Sequence, residues 1–143
     1  MKKIFLLLAI ASLSIGAMAQ GSSKVQNLIS APASGSNVID TVINTGVVTM
    51  TSPIVAGASN TTTVTATFTK LTGTVAGTAT LLGSVNGTDW ASASSTSYTV
   101  TDVASATTSW VLSFKPFLYY RISVAGSGTS TYVVKGQVLS VIP

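Results

Sequence analysis

From Thr61 to Lys70 the chain reads TTTVTATFTK, with Thr63, Thr65, Thr67 and Thr69 alternating with Val64, Ala66 and Phe68. A repeat of two puts the threonines on one face of an extended strand and the apolar residues on the other. A helix would scatter both sets around its circumference. The side chains branched at Cβ are stiff and fit a pleated surface. A strand that is apolar on one face only must lay that face against a second layer. The threonine ladder then reads as the exterior of a sandwich, with a flat contact or sugar-facing surface as the alternative.

The same texture runs through the rest of the chain. Asn37–Ile43 and Val47–Thr51 read as a hairpin around Asn44-Thr45-Gly46, with Gly46 supplying the positive φ. Thr78–Val85, Tyr98–Asp102, Trp110–Phe114, Leu118–Ala125 and Tyr132–Ile142 are further strands, and Gly136 is a candidate bulge in the last of them. Leu118, Tyr120, Ile122 and Val124 face inward, while Tyr119, Arg121 and Ser123 face out. Asn86-Gly87 is a tight hairpin signal, and Val75-Ala76-Gly77 marks a corner. Leu71–Trp90 and Ser109–Gly126 hold most of the large side chains and are expected at the centre. Short strands with turn residues between them predict an all-β fold, a single antiparallel β-sandwich of jelly-roll type, over residues 37–143.

The start of the chain is different. Met1-Lys2-Lys3 is basic, Ile4–Ile15 is apolar and small, and Ala17-Met18-Ala19 precedes Gln20 in the manner of a cleavage site. This is the build of a signal peptide over 1–19, with an uncleaved anchor as the alternative. It predicts export to the periplasm, cell surface or medium, with membrane attachment only through an uncleaved leader. Residues 20–36 are polar and small and are expected as an extended arm. Lys24–Ser30 has the alternative of a weak edge strand.

Charge is scarce, at 7% of residues. Beyond the leader, Lys24, Lys70, Lys115, Arg121 and Lys135 face only Asp40, Asp89 and Asp102, a net of +2. The basic residues are scattered, which argues against a nucleic-acid partner. Weak net charge and a Ser/Thr/Gly surface favour association, so a homo-oligomer or other structural subunits are the expected partners.

The chain contains no Cys, His or Glu. The commonest general base and nucleophile are therefore missing, and no serine has an evident activator. Zinc lacks its usual ligands. Asn86, Asp89 and Asp102 offer oxygen to calcium, but turn geometry accounts for the first two. A carboxylate pair from Asp89 and Asp102 is the one catalytic arrangement left open. No cofactor, metal site or catalytic residue is expected, and the chain is read as a non-enzyme.

Two groups of residues remain as candidates for contact. Trp90, Tyr119 and Arg121 form a tentative ligand-binding set for surface glycans. The alternatives are a core position for Trp90 and packing of the Arg121 stem on a neighbouring tyrosine. Trp110, flanked by Val111 and Leu112, is read as core. Tyr132, Val134, Val138 and Leu139 make the last strand long and apolar, and are the tentative assembly residues if it adds to a neighbour's sheet edge.

Two resemblances rest on these residues. GSVNGTDW followed by SFKPFLYYRISV, Gly83 to Val124, resembles the second half of discoidin-type jelly-roll domains. There a GS-x-DG-x-x-W hairpin precedes a strand ending in Y-x-R-I, and Asn86 stands where that pattern has Asp. The resemblance implies a carbohydrate-binding jelly roll. The longer stretch GTVAGTATLLGSVNGTDW through YYRISVAGSGTSTYVVKG, Gly73 to Gly136, resembles small β-rich bacteriophage proteins and implies a virion component. The expected function is thus a structural or attachment protein. A carbohydrate-binding module and a pilus-like subunit joined by strand exchange are the alternatives.

Overall fold

The structure is a computed structural model that describes residues 23–30, 38–55, 61–113 and 117–141. The leader reading for 1–19 lies outside these residues, as do Lys115 and the two ends of the arm expected over 20–36. Among the described residues there are eleven strands and no helix.

The strands form two antiparallel sheets. Sheet A holds β1 (Ser23–Asn27), β3 (Ile39–Ile43), β5 (Thr61–Gly73), β9 (Ser105–Ser113) and β11 (Ser130–Val141). Its order is β1-β11-β5-β9, and β3 pairs with the same edge of β11 as β1 does. β1 covers Gln137–Val141 and β3 covers Thr131–Lys135. Sheet B holds β2 (Ile29–Ser30), β4 (Val47–Thr51), β6 (Gly77–Ser84), β7 (Ala91–Ser92), β8 (Tyr98–Val100) and β10 (Tyr119–Gly126). Its order is β2-β4-β10-β6, with β7 and β8 dividing the far edge of β6 between them. The result is the antiparallel β-sandwich that the alternation predicts.

The threonine strand does what its repeat demands. Thr62, Val64, Ala66 and Phe68 are buried, and Thr63, Thr65 and Thr67 stay partly open on the outer face. The Thr65 and Ser109 hydroxyls meet at 3.2 Å across strands, as do those of Thr67 and Thr107. Inward from β5 and β11 come Val64, Phe68, Tyr132, Val134 and Val138; from the other sheet come Met50, Leu81, Tyr120, Ile122 and Val124. Each such side chain contributes about 1.5–3 kcal/mol by leaving water. The Phe68 ring stacks on Tyr98 at 5.5 Å and tilts against Tyr132, tying the two layers.

Several expectations are corrected. β3 and β4 are not a hairpin: β3 pairs with β11 in sheet A and β4 with β10 in sheet B. The turn between them crosses the sandwich, and Asn44, not Gly46, takes the positive φ of 53°. Gly46 is needed for closeness instead, since a Cβ there would stand 2.9 Å from the Ile43 carbonyl oxygen. Gly136 does not bulge β11; the register shift falls between Thr131 and Tyr132. Its missing side chain leaves room for Leu28 and Ile122, each 3.1 Å from where a Cβ would be. Leu28 is fully buried there, and its N–H donates to the Gly136 carbonyl at 2.9 Å. Over Ser23–Ser30, therefore, the edge-strand alternative replaces the extended arm, because Leu28 supplies an apolar anchor.

The largest correction concerns β11. It was expected as an edge free to join a neighbour, yet it lies inside sheet A with partners on both sides. Tyr132, Val134 and Val138 are buried in the core and touch no outer surface, while Leu139 is half-buried on the outer face. In the folded chain the first three face the core, so they meet no neighbour while β11 stays in place.

Candidate functional site

β10 alternates strictly, which sends Tyr120, Ile122 and Val124 into the core and Tyr119, Arg121 and Ser123 to the outer face of sheet B. Leu118, expected inward, lies just before the strand and is exposed. Thr51 of β4 and Leu82 of β6 flank Arg121 in register. The Arg121 Nε–H donates to the Thr51 Oγ1 at 3.1 Å, and its Cζ lies 3.9 Å from the centre of the Trp90 ring. The guanidinium is thus held by a hydroxyl on one side and an indole face on the other. Partial burial draws its pKa down from the ordinary guanidinium value, but an arginine remains charged at any physiological pH.

Trp90 is delivered by the loop between β6 and β7. The Asn86-Gly87 pair does not make a two-residue hairpin; Gly83 pairs with Ala91, and the residues between them form a wider loop. Three side chains fold it. The Ser84 hydroxyl donates to the Asn86 Oδ1 at 3.0 Å and accepts from the Gly87 N–H at 2.9 Å. The Asn86 Oδ1 also accepts from the N–H groups of Thr88 and Asp89, at 3.0 and 2.9 Å. Asn86 Nδ2 donates to the Asp89 carboxylate at 2.7 Å. This is self-capping of a turn by short polar side chains. Gly87 takes φ +78°, and a Cβ on it would lie 3.5 Å from the Tyr119 ring. Tyr119 therefore packs beneath the loop while Arg121 holds the tryptophan that closes it.

The structure thus brings Trp90 and Arg121 into contact and sets Tyr119 two residues along the same face. Trp90 is neither core nor a free stacking platform, since the guanidinium occupies one of its faces. Trp110 is core: it is 5% exposed, and its indole N–H donates to the Thr96 carbonyl at 3.1 Å.

Nothing in the residue pattern marks a second feature. An open cleft of about 420 Å³ lies between Ser92–Ser95 and Val111–Ser113 at one margin of the sandwich. Its lining is hydroxyl groups and apolar atoms without a charged or titratable side chain. The serines there also bond locally: the Ser92 hydroxyl donates to the Ser94 carbonyl at 2.6 Å, and the Ser94 and Thr96 hydroxyls meet at 2.9 Å.

The three carboxylates are spent separately. Asp40 accepts from the Ser30 hydroxyl and from the Thr41 N–H, linking the margins of the two sheets. Asp102 accepts from Lys70 Nζ at 2.7 Å and from the Val75 N–H at 2.9 Å. Asp89 sits beyond the Ser84 end of β6, whereas Asp102 follows β8, whose Val100 pairs with Gly77 at the opposite end. With a strand rise of about 3.3 Å per residue, roughly 20 Å of β6 separates the two. The pairing left open for them does not occur. Among the described residues no three His, Cys, Asp or Glu side chains gather into a metal-binding group.

The fold is that of a two-sheet antiparallel β-sandwich of jelly-roll type, and comparison with solved structures finds others of similar shape. One is the PBSX exported protein XepA, at 14% identity and a TM-score of 0.51, over 84% of this chain and 36% of that one. Another is the enzymatically active domain of tailspike protein 4 of bacteriophage CBA120, at 12% identity and a TM-score of 0.52, over 85% of this chain and 18% of that one. The chain thus spans about a third or less of these proteins, and what is shared is the fold. No protein-family model matches the sequence, and no curated protein matches it.

Proposed function

We propose that the chain is an exported, non-enzymatic β-sandwich of structural or attachment type, acting through its outer faces at a particle or cell surface. The observation that carries this reading is the make-up of those faces. By register, the outward strand residues of sheet A run in rows such as Asn27–Gln137–Thr65–Ser109 and Val25–Leu139–Thr63–Val111. Among these outward strand residues Lys135 is the charged one on sheet A and Arg121 the charged one on sheet B. Broad faces of hydroxyl and small apolar groups suit contact with another surface. The carboxylates, held apart and each engaged, have no arrangement for acid–base work. The likeness in fold to an exported protein is in keeping with export. The test is fractionation of cells producing the full chain, with mass spectrometry of its N-terminus. Recovery in the envelope, medium or particle fraction with Gln20 at the N-terminus is expected. A cytoplasmic protein that keeps Met1 overturns the reading.

A second reading, carbohydrate recognition, is favoured by one observation: the Trp90–Arg121 stack with Tyr119 beside it. A guanidinium held between the Trp90 ring and the Thr51 hydroxyl has its remaining N–H donors restricted in direction, and such pre-organisation lowers the cost of binding. A glycan array decides it. Binding that Arg121→Ala abolishes in a folded variant supports this reading, and silence across the array removes it.

A further inference from the structure

Among the described residues β9 is hydrogen-bonded to β5 along one side and to no strand along the other. In an antiparallel pair, alternate residues direct their N–H and C=O away from the partner, so the outer side of β9 presents a row of unpaired backbone groups. Natural sheets guard such an edge with charge, proline, a bulge or brevity. β9 has none of these. It runs nine residues, SATTSWVLS, without a charge or a proline, and pairs with β5 without a register shift.

The other margins are guarded. The far edge of sheet A is divided between β1, which carries Lys24, and β3, which carries Asp40. In sheet B the open lengths are short: β2 has two residues and covers Met50 and Thr51 of β4, leaving Val47–Thr49 open among the described residues, and β7 and β8 divide the opposite edge. Burial along β9 is also uneven. Trp110 and Leu112 are buried, but Ala106 and Thr108, which alternate onto the same inner face, remain half-open. The 92–95 loop flanks Val111–Ser113 across the cleft, which leaves Ser105–Ser109 as the open length.

We propose that Ser105–Ser109 is a self-association edge, where β9 of a second copy adds antiparallel about a two-fold axis at Thr107. The two copies of sheet A then become one continuous sheet. The partner is a second copy because the segment meets itself without like-charge repulsion. An isologous two-fold contact needs one patch that complements itself, and an uncharged strand of small hydroxyl residues meets that need. In this register Ser105 faces Ser109 of the other copy, and the Thr67–Thr107 hydroxyl row continues through the axis. The inference deepens the surface-assembly reading above, and rests on it in taking the protein to work by contact.

The natural chain has no cysteine, so an introduced one is an unambiguous reporter. Directly opposed residues in an antiparallel pair have Cα atoms about 4.5–5.5 Å apart, within reach of a disulfide. The full chain should sediment as a dimer. Thr107→Cys should lock it covalently on mild oxidation, and Val25→Cys on the far edge should not. Thr107→Lys, which sets two ammonium groups face to face, should weaken dimerisation at least about tenfold while leaving the circular dichroism spectrum unchanged. A monomer at every concentration overturns the inference, as does a dimer locked through Val25→Cys and not through Thr107→Cys. If Thr107→Lys does not fold, the cysteine pair still decides. A monomer that still partitions to the envelope or particle fraction leaves the surface reading standing. A Thr107-locked dimer found only in the cytoplasm does the reverse.

Discussion

β11 and β9 belong to the same sheet but differ in how many neighbours they have. β11 is twelve residues long, apolar, and last in the chain; β9 is nine residues of mostly Ser, Thr and Ala. Yet β11 lies between β5 and the β1/β3 edge, and β9 is the open margin. Apolar content reports how much of a strand lies under another layer. It does not report how many neighbours the strand has. The centre of a sheet also covers its outer face from both sides, so Thr131, Val133, Gln137 and Leu139 of β11 are half-buried even where they point outward. Thr107, Ser109 and Val111 of β9 have one neighbour and stay exposed.

The sharpest way to break this contrast is one substitution made in both strands. Val134 of β11 is fully buried, and Val111 of β9 is 66% exposed. Val134→Asp places an unpaired carboxylate in the core and should cost about 4 kcal/mol or more, enough to unfold the chain. Val111→Asp should change stability by no more than about 0.5 kcal/mol. Urea titration of the two variants checks both, and equal losses would mean that the strands do not differ as described.

The next effect tests what guards β11 on its far side. Leu28, between β1 and β2, fills the space over Gly136. Leu28→Ala should cost about 2–5 kcal/mol by leaving a cavity. Gly136→Ala, which forces a methyl against Leu28 and Ile122, should cost about 1–3 kcal/mol by overpacking. Because both changes act on one contact, the double variant should lose less than the sum of the two. Full additivity in denaturant would show that residues 23–30 are not seated on β11.

The layering was legible in the sequence because burial and the two-residue repeat are local. TTTVTATFTK and LYYRISV each state which face is inward, and the structure agrees at Val64, Ala66, Phe68, Tyr120, Ile122 and Val124. Partnership was not legible, because it depends on which sheet a turn delivers its strand to. Asn44-Thr45-Gly46 looks the same whether it closes a hairpin or crosses between layers, as it does here. For the candidate site, the outward pair Tyr119 and Arg121 followed from alternation. The contact of Arg121 with Trp90 did not, since it depends on how Ser84, Asn86 and Asp89 fold the loop that carries the indole. The open edge of β9 left no mark beyond its lack of charge, which at this composition is common to most of the chain.

The smallest effect concerns how β9 is entered. The chain reaches it from β8 through residues 101–104, where Asp102 accepts from Lys70 and Val75, and the Lys70 N–H donates to the Ala104 carbonyl at 3.0 Å. The Lys70 ammonium, and after it the Val75 N–H, hold the Asp102 carboxyl below its ordinary value of 3.8. The folded chain therefore binds this proton less readily than the unfolded one. Its contribution is complete above the ordinary carboxylate value and is lost as pH falls below that value through the folded one. Being exposed, the pair is also weakened by salt. β11 is entered from β10 through the turn over 127–129, which contains no titratable group. Acid should therefore loosen β9 first. In hydrogen exchange followed down the acid limb, amides of Ser105–Ser113 should lose relative protection while those of Tyr132–Val138 keep theirs, and Asp102→Asn should remove the difference. Equal loss in both strands would mean that the Asp102 anchor does not act on β9.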